Sequence, residues 1–370
     1  MNLAIYLHIP FCRRRCNYCS FVSSAGREYE IPSYVDALIR EIQLTRREDT
    51  LITSIYMGGG TPSLLEPSMI DRILSAIREN YSIFSSVEVT IEANPGTIDG
   101  KYLAALSLAG INRLSLGFQS LDDDELCFLG RLHSSADALD SIKFAKQAGF
   151  DNISLDFIYG IPRRALADWK DMLKNVVTFA MPHLSLYPLT VEEGTPLWEV
   201  REQPDEDQTA VEYELACDVL ERAGYRHYEI SNWAFHGFES RHNLGYWTGG
   251  TYLGLGPGAH SYLNGTRWAN TSDLDEYLKS LSRGELPKLT LDPIDGRAQL
   301  TEAIMLGLRL DCGISIDETS SHFGIDFLEE FGTEISELKR LVLVEVSDGR
   351  LKLTPKGRLL GNEVFLRFCP

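Results

Sequence analysis

The sequence holds no apolar run near the length needed to cross a bilayer as a helix. No integral membrane segment is expected, and peripheral contact with a membrane surface stays open. Positive charge is scarce: 35 Lys and Arg stand against 53 Asp and Glu, a formal net charge of -18. A broad nucleic-acid footprint needs clustered Lys and Arg, so no nucleic-acid partner is expected. The opening MNLAIYLHIPF has neither the basic segment nor the cleavage site of a secretory leader, which sets the expectation of a cytoplasmic protein. There is no internal repeat and no low-complexity tract. Cysteine is sparse too, seven in 370 residues. Four of them, Cys127, Cys217, Cys312 and Cys369, are scattered and read as small apolar core residues or inert surface thiols.

What is present is an ordinary globular balance, 44% hydrophobic and 24% charged, in a chain long enough for one large domain and a smaller one. The first half alternates strand-like and helix-like segments. Apolar, β-branched runs fall at Leu3–His8, Leu51–Met57, Val87–Glu92, Asn112–Gly117, Ile153–Tyr159 and His183–Tyr187. Between them, Tyr34, Val35, Leu38, Ile39 and Ile42 share one helical face. Ile70, Ile73, Leu74 and Ile77 repeat the pattern behind Pro67, and Leu139, Ile142, Phe144, Ala145 and Ala148 form another. Six strand–helix units in series indicate an α/β fold on a parallel sheet. Periodicity does not separate an open sheet from a barrel.

Each strand ends in an unusual cluster: HIPFC, YMGGGTP, TIEANPG, LSLGFQS, SLDFIYGIP and SLYPLT. In parallel α/β folds, ligands gather at the carboxyl ends of the strands. Six such ends therefore describe one site. After about Glu193 the chain changes character. REQPDEDQ is acidic and turn-like, a helix is expected over Ala210–Ala223, and an aromatic, glycine-rich run follows. The end of the chain returns to helix. It finishes with a hairpin turned at Ser347, Asp348 and Gly349 and a short helix, the pattern of a winged-helix-like module. From Thr301 to Pro370 eight Lys and Arg face twelve Asp and Glu, a net of -4, so this module reads as a packing or partner surface.

HIPFCRRRCNYCSF places Cys12, Cys16 and Cys19 within eight positions. Thiolates are soft ligands that suit zinc or iron–sulfur clusters. Structural zinc takes four ligands, often as two distant pairs, and no second pair is present. His8 could supply a fourth ligand, or could simply end its strand. A four-iron cluster on three cysteines leaves one iron open to a small molecule. The Gly58–Pro62 turn, GGGTP, lets backbone approach a ligand closely. No Lys-Ser/Thr follows, so a P-loop is not expected.

The C-x3-C-x2-C triplet with Tyr18 before its last cysteine resembles the radical S-adenosylmethionine enzymes. The resemblance covers essentially the whole chain and is nearest to the oxygen-independent coproporphyrinogen III oxidase-like family, including its haem-chaperone branch. It implies an incomplete (β/α)6 barrel over residues 1–195, a connecting region with a haem motif over 196–295, and a winged-helix-like α+β module over 296–370. It implies a [4Fe-4S] cluster on Cys12, Cys16 and Cys19, with S-adenosyl-L-methionine chelated by the open iron and cleaved to a 5'-deoxyadenosyl radical. Gly59, Gly60 and Thr61 match the segment that holds the methionine amino group, and Arg131 its carboxylate. Glu92, Gln119 and Asp156 match nucleoside contacts, and Tyr6 and Tyr18 join the cofactor site. The true oxidases add a fourth cysteine where this chain has Phe21, and carry a long N-terminal arm; here the triplet starts at residue 12. The chaperone branch carries HNxxYW, matched by His242, Asn243, Tyr246 and Trp247. That match implies haem binding and delivery to haem-requiring apoproteins, with an electron donor to the cluster as a further partner. Read from the residues alone, His242 is either an axial iron ligand or a core histidine beside two anchoring aromatics. The alternative function is coproporphyrinogen III dehydrogenase, the oxidative decarboxylation in porphyrin synthesis.

Overall fold

The computed structural model describes residues 1–369. Six parallel strands pair in chain order: β1 (Asn2–Ile9), β2 (Leu51–Gly59), β3 (Ser82–Ala93), β4 (Arg113–Gln119), β5 (Ile153–Tyr159) and β6 (His183–Pro188). A helix follows each: α1 (Ile31–Leu44), α2 (Pro67–Asn80), α3 (Gly100–Ala109), α4 (Ser135–Gln147), α5 (Leu166–Thr178) and α6 (Glu206–Arg222). The chain continues through β7 (Arg226–Glu229), β8 (Asn232–Ala234), α7 (Arg241–Trp247), β9 (Tyr252–Leu255), β10 (His260–Leu263), β11 (Thr266–Asn270) and β12 (Lys288–Pro293). The described sheet has twelve strands in the order β12-β11-β10-β9-β1-β2-β3-β4-β5-β6-β8-β7. Strand β9 runs parallel beside β1, and β8 runs antiparallel beside β6. The barrel is therefore incomplete.

Alternation along the strands explains both faces. Leu3, Ile5, Leu7 and Ile9 of β1, with Leu114, Leu116 and Phe118 of β4, join the buried apolar layer under the helices. The alternate positions are polar: Tyr6 and His8, Ser54 and Tyr56, Thr90 and Glu92, Arg113 and Ser115, Ser154 and Asp156. Closed (β/α)8 barrels fill this space with branched aliphatic side chains. A polar lumen is the arrangement for a polar ligand.

Caps agree with the boundaries. Asp99 accepts from the Tyr102 N–H at the start of α3, and Gly110 ends that helix at φ 106°. Ser134 and Asp137 form a capping box on α4. The buried stripe of α4 is Ala138, Ser141, Ile142 and Ala145. Leu139, expected in the core, lies one position round the helix and is 37% exposed. Strand β3 begins at Ser82, before the apolar run at Val87. Its first residues pair with Leu51 and Ile52 through the backbone and break register before Glu88. Backbone pairing leaves no hydrophobic period to read.

The C-terminal part packs three helices (Gly296–Leu308, Ile316–Phe323 and Phe327–Arg340) against a hairpin of β13 (Val344–Ser347) and β14 (Arg350–Leu353). Asp348 and Gly349 both have positive φ, 52° and 72°, as a two-residue hairpin turn demands. This part has its own core, built on Leu300, Ile304, Phe327, Phe331 and Leu351. It docks on the barrel through a backbone bridge between Glu229 and Leu310, and the Arg309 guanidinium lies 4.4 Å over the Trp247 ring. Among the described residues no helix is long and apolar enough to cross a membrane.

Candidate functional site

A cavity of about 490 Å3 opens at the carboxyl ends of the barrel strands. Eleven of the residues singled out from the sequence line it together: Cys12, Cys16, Cys19, Tyr18, Gly59, Gly60, Thr61, Glu92, Gln119, Arg131 and Asp156. Chain reversal after each parallel strand carries these distant segments to one rim.

The cysteine loop leaves β1 and is tied down on both sides. The Gly60 N–H donates to the Ile9 carbonyl at 2.7 Å, and the Thr61 N–H to the Phe11 carbonyl at 2.8 Å. Opposite, the Asn17 N–H donates to the Leu129 carbonyl, Asn17 Nδ2 to the Phe128 carbonyl, and Arg14 to the Gly130 carbonyl. Asn17 lies so close to Gly130, at φ 75°, that a Cβ there would meet it at 2.8 Å. Thr61 Oγ1 donates to Cys12 Sγ at 3.6 Å, and Arg131 Nη1 to Cys16 Sγ at 3.4 Å. Burial raises the Cys12 thiol pKa, opposed by the Thr61 bond, and burial also raises that of Cys19. Among the described residues no three His, Cys, Asp or Glu side chains converge on a single metal-ion position. Three thiols on one loop, met by a hydroxyl and a guanidinium, are the soft donors that an iron–sulfur cluster takes.

The opposite wall carries the carboxylates. Glu92 accepts from Tyr56 Oη at 2.9 Å and from the Gly59 N–H at 3.3 Å. Burial, with the Asp156 charge adding to it, pushes the Glu92 carboxyl up to about 7. Asp156 accepts from Ser115 Oγ at 2.7 Å and Ser154 Oγ at 3.0 Å; burial raises its pKa and those bonds oppose the rise. Arg131 also donates to the Gly117 carbonyl at 2.9 Å and to Asn94 Oδ1. Gln119 sits at φ 67°, an uncommon conformation for a residue with a Cβ. Two acceptors, a guanidinium and a glycine turn around one cavity match a ligand with hydroxyl, amino and carboxylate groups.

Tyr56, Asn94, Ser115 and Tyr187 also line the cavity and were not singled out. Tyr56 and Ser115 lie two residues before Gly58 and Gly117 on their strands, so period-two alternation from those glycines was a usable signal.

Tyr6, His242, Asn243, Tyr246 and Trp247 do not line the cavity. Tyr6 lies behind it, with its hydroxyl 3.1 Å from His8 Nδ1. His8 Nε2 lies 2.7 Å from the Val22 carbonyl, which makes His8 a brace for the end of the cysteine loop. Helix α7 closes the lumen from below. Ser240 caps it by accepting from the Asn243 N–H, and the Arg241 and His242 N–H groups donate to Glu88. The His242 ring is 1% exposed, with Nδ1 2.9 Å from Ser54 Oγ and Nε2 3.0 Å from Tyr246 Oη. Burial holds its pKa down to about 3. In this conformation both ring nitrogens are engaged. The geometry is that of the core histidine rather than of an open iron ligand.

The chain matches the radical SAM superfamily model over residues 6–176 and the HemN C-terminal domain model over residues 294–360. It is 35% identical to the haem chaperone HemW of Lactococcus lactis over 98% of this chain and 96% of that one. It is 33% identical to the haem chaperone HemW of Bacillus subtilis, covering 98% of each. A mitochondrial radical S-adenosyl methionine domain-containing protein 1 of Mus musculus is 37% identical over 84% of this chain and 74% of that one. Coproporphyrinogen III oxidase (HemN) of Escherichia coli shares the fold, with a TM-score of 0.86 at 22% identity over 99% of this chain and 89% of that one. The chain belongs to the radical SAM superfamily and, within it, to the HemW family.

Proposed function

We propose that the protein is a haem chaperone, loading haem and handing it to haem-requiring apoproteins, with a cofactor site of the radical SAM type in its barrel. The observation that carries the cofactor reading is the meeting of Cys12, Cys16 and Cys19 with Glu92, Arg131 and Asp156 around one cavity. Haem as cargo rests on the full-length relatives named haem chaperones. When bound, a four-iron cluster with one open iron supplies single-electron reduction of a sulfonium.

The chain's own residues supply the rest. The three thiolates hold the cluster, and Arg131 and Thr61 place donors on two of the sulfurs. Arg131 offers a guanidinium to the methionine carboxylate. Glu92, Gln119 and Asp156 offer acceptors to hydroxyl and amino groups of the nucleoside. Gly59 and Gly60 let the backbone close on the amino end. The reading includes an electron donor from outside the chain, a cytoplasmic setting, and the division at residues 195 and 295.

Coproporphyrinogen dehydrogenation is the weaker reading. Phe21, 65% exposed at the cavity rim, stands where the resemblance places the oxidases' fourth cysteine.

The test starts from protein reconstituted anaerobically with iron and sulfide. Iron content and S-adenosylmethionine binding are compared with a Cys16→Ala variant. The protein is then titrated with haem, following the porphyrin absorbance band and its survival through gel filtration. Loss of cluster in the variant and saturable haem retention by the native chain are expected. Haem retention no better than that of an unrelated acidic protein would overturn the chaperone reading. Product from coproporphyrinogen would replace it with the oxidase.

A further inference from the structure

The cysteine loop has a second side. Besides the large cavity, an opening of about 90 Å3 reaches the same loop. Cys16, Thr61, Asn94 and Arg131 line both, so they form the partition between them. The rim of the smaller opening carries Arg13, Arg14, Leu132 and His133, and Pro95, Gly96 and Gly130 add little side-chain bulk to it. An opening this small is no ligand pocket, since such pockets run to about 300–1,000 Å3. What it offers is close approach of another surface to the Cys16 sulfur.

The charge at this rim runs against that of the chain. The formal net charge is -18, yet no carboxylate lines the opening. Arg13, Arg14 and Arg15 stand in a row, and all three are exposed. Arg14 donates to the Gly130 and Arg131 carbonyls, and Arg15 to the Cys19 carbonyl. Carbonyls hold a guanidinium in place without neutralising it. Arg13 has no ion-pair partner among the described residues. Leu132, on the same rim, is 60% exposed. A basic and apolar rim around a ligand sulfur suits an acidic electron carrier. Such a carrier is repelled by most of an acidic chain and attracted here, so charge orients it as well as drawing it in.

We propose that the rim of Arg13, Arg14 and Leu132 is the docking site of an acidic, low-potential iron–sulfur carrier protein, which passes its electron across Cys16 to the cluster read above from the thiol triplet. In each encounter the carrier's reduced centre gives up one electron and the cluster takes it. No bond forms or breaks, and no proton moves. The cavity side of the loop is left to the ligand, and the outer side serves the electron.

The experiment uses the full chain, reconstituted anaerobically, with an acidic plant-type ferredoxin as the probe. Calorimetry gives the affinity for oxidised ferredoxin. Stopped-flow absorbance gives the second-order rate at which reduced ferredoxin reduces the cluster. Both should fall as salt is raised. Arg13→Glu exchanges an attractive pair for a repulsive one. It should lower both by about fivefold to twentyfold at low salt, since one exposed charge pair carries up to about fivefold. At high salt the loss should shrink to within about twofold. Arg13→Lys keeps the charge and should stay within about twofold of the native chain. Leu132→Ser should weaken affinity by about threefold at either salt, since an apolar contact is not screened. Reduced methyl viologen, a small cation that needs no docking, should reduce Arg13→Glu at least as fast as the native chain, with equal iron content. Slower reduction of the variant by viologen as well would place Arg13 in the integrity of the loop and overturn the docking site. So would ferredoxin that fails to bind and reduce the native chain, or that treats both chains alike, while viologen reduces both; the cluster reading would then stand. A native chain that takes up no iron would overturn that reading and this inference with it.

Discussion

Gly60→Ala is the sharpest test of how the cysteine loop is held. A Cβ at residue 60 would lie 2.6 Å from the Phe11 carbonyl oxygen, 2.8 Å from that of Ile9 and 3.0 Å from the Phe11 nitrogen. All three obstacles are backbone, so no side-chain rotation relieves them. The strand end and the glycine turn must part. Overpacking of this kind costs about 1–3 kcal/mol. Parting also weakens the Gly60 and Thr61 bonds to β1, adding about 1 kcal/mol. The sum of about 2–4 kcal/mol should lower the melting temperature of the unloaded chain by about 4–8 °C, at about 2 °C per kcal/mol for a unit of this size. Cys12 sits beside those bonds, so iron bound per chain after reconstitution should fall as well. Gly100→Ala is the control. It opens α3, and a Cβ there meets nothing within 4 Å. It should melt at or slightly above the native temperature, because alanine restricts the unfolded chain by about 0.5–1 kcal/mol. A Gly60→Ala chain that melts with the native protein and binds its full iron would refute the reasoning.

Burial of neutral His242 should appear in the pH dependence of stability. Its pKa is about 3 folded and about 6.5 unfolded, so the unfolded chain binds the extra proton. Its contribution is complete above about pH 6.5 and is lost as pH falls toward 3, amounting to about 2 kcal/mol by pH 5. Urea unfolding at pH 7.5 and pH 5 should show the native chain losing about 2 kcal/mol more than His242→Phe; equal losses would contradict the burial. Glu92 and Glu41, both pushed up to about 7 by burial, act with the opposite sign and are common to both chains. Arg309→Ala should loosen the docking of the C-terminal part. It removes the stack on Trp247 and strands Glu229, whose side chain is fully buried with Arg309 3.6 Å away. The expected loss is about 3 kcal/mol, read by hydrogen exchange at Glu229–Ile230 and Arg309–Asp311. Exchange there at the native rate would mean that the backbone bridge alone holds the contact.

The barrel and its site were largely legible because both leave local marks. Strand alternation, the Pro67 helix start and the hairpin turn at Asp348 and Gly349 are properties of neighbouring residues. The cysteine triplet and the glycine turn are fixed by spacing along one segment. Less legible was the face of α4, where Ala138 and Ser141 carry the buried stripe and apolar Leu139 does not. Small residues set how closely the helix approaches, and composition does not report that. The early start of β3 was hidden because backbone pairing carries no side-chain period.

By itself the sequence determined the six strand–helix units, the thiol triplet and the polar strand ends. Tertiary structure decided what local pattern cannot reach. It turned Tyr56 toward Glu92 and set His242 beneath the strand ends with both nitrogens engaged. His242 and Ser54 stand 188 residues apart in the chain. Whether such a histidine faces iron or a hydroxyl depends on which surface packs against it, and only the folded chain brings that surface to it.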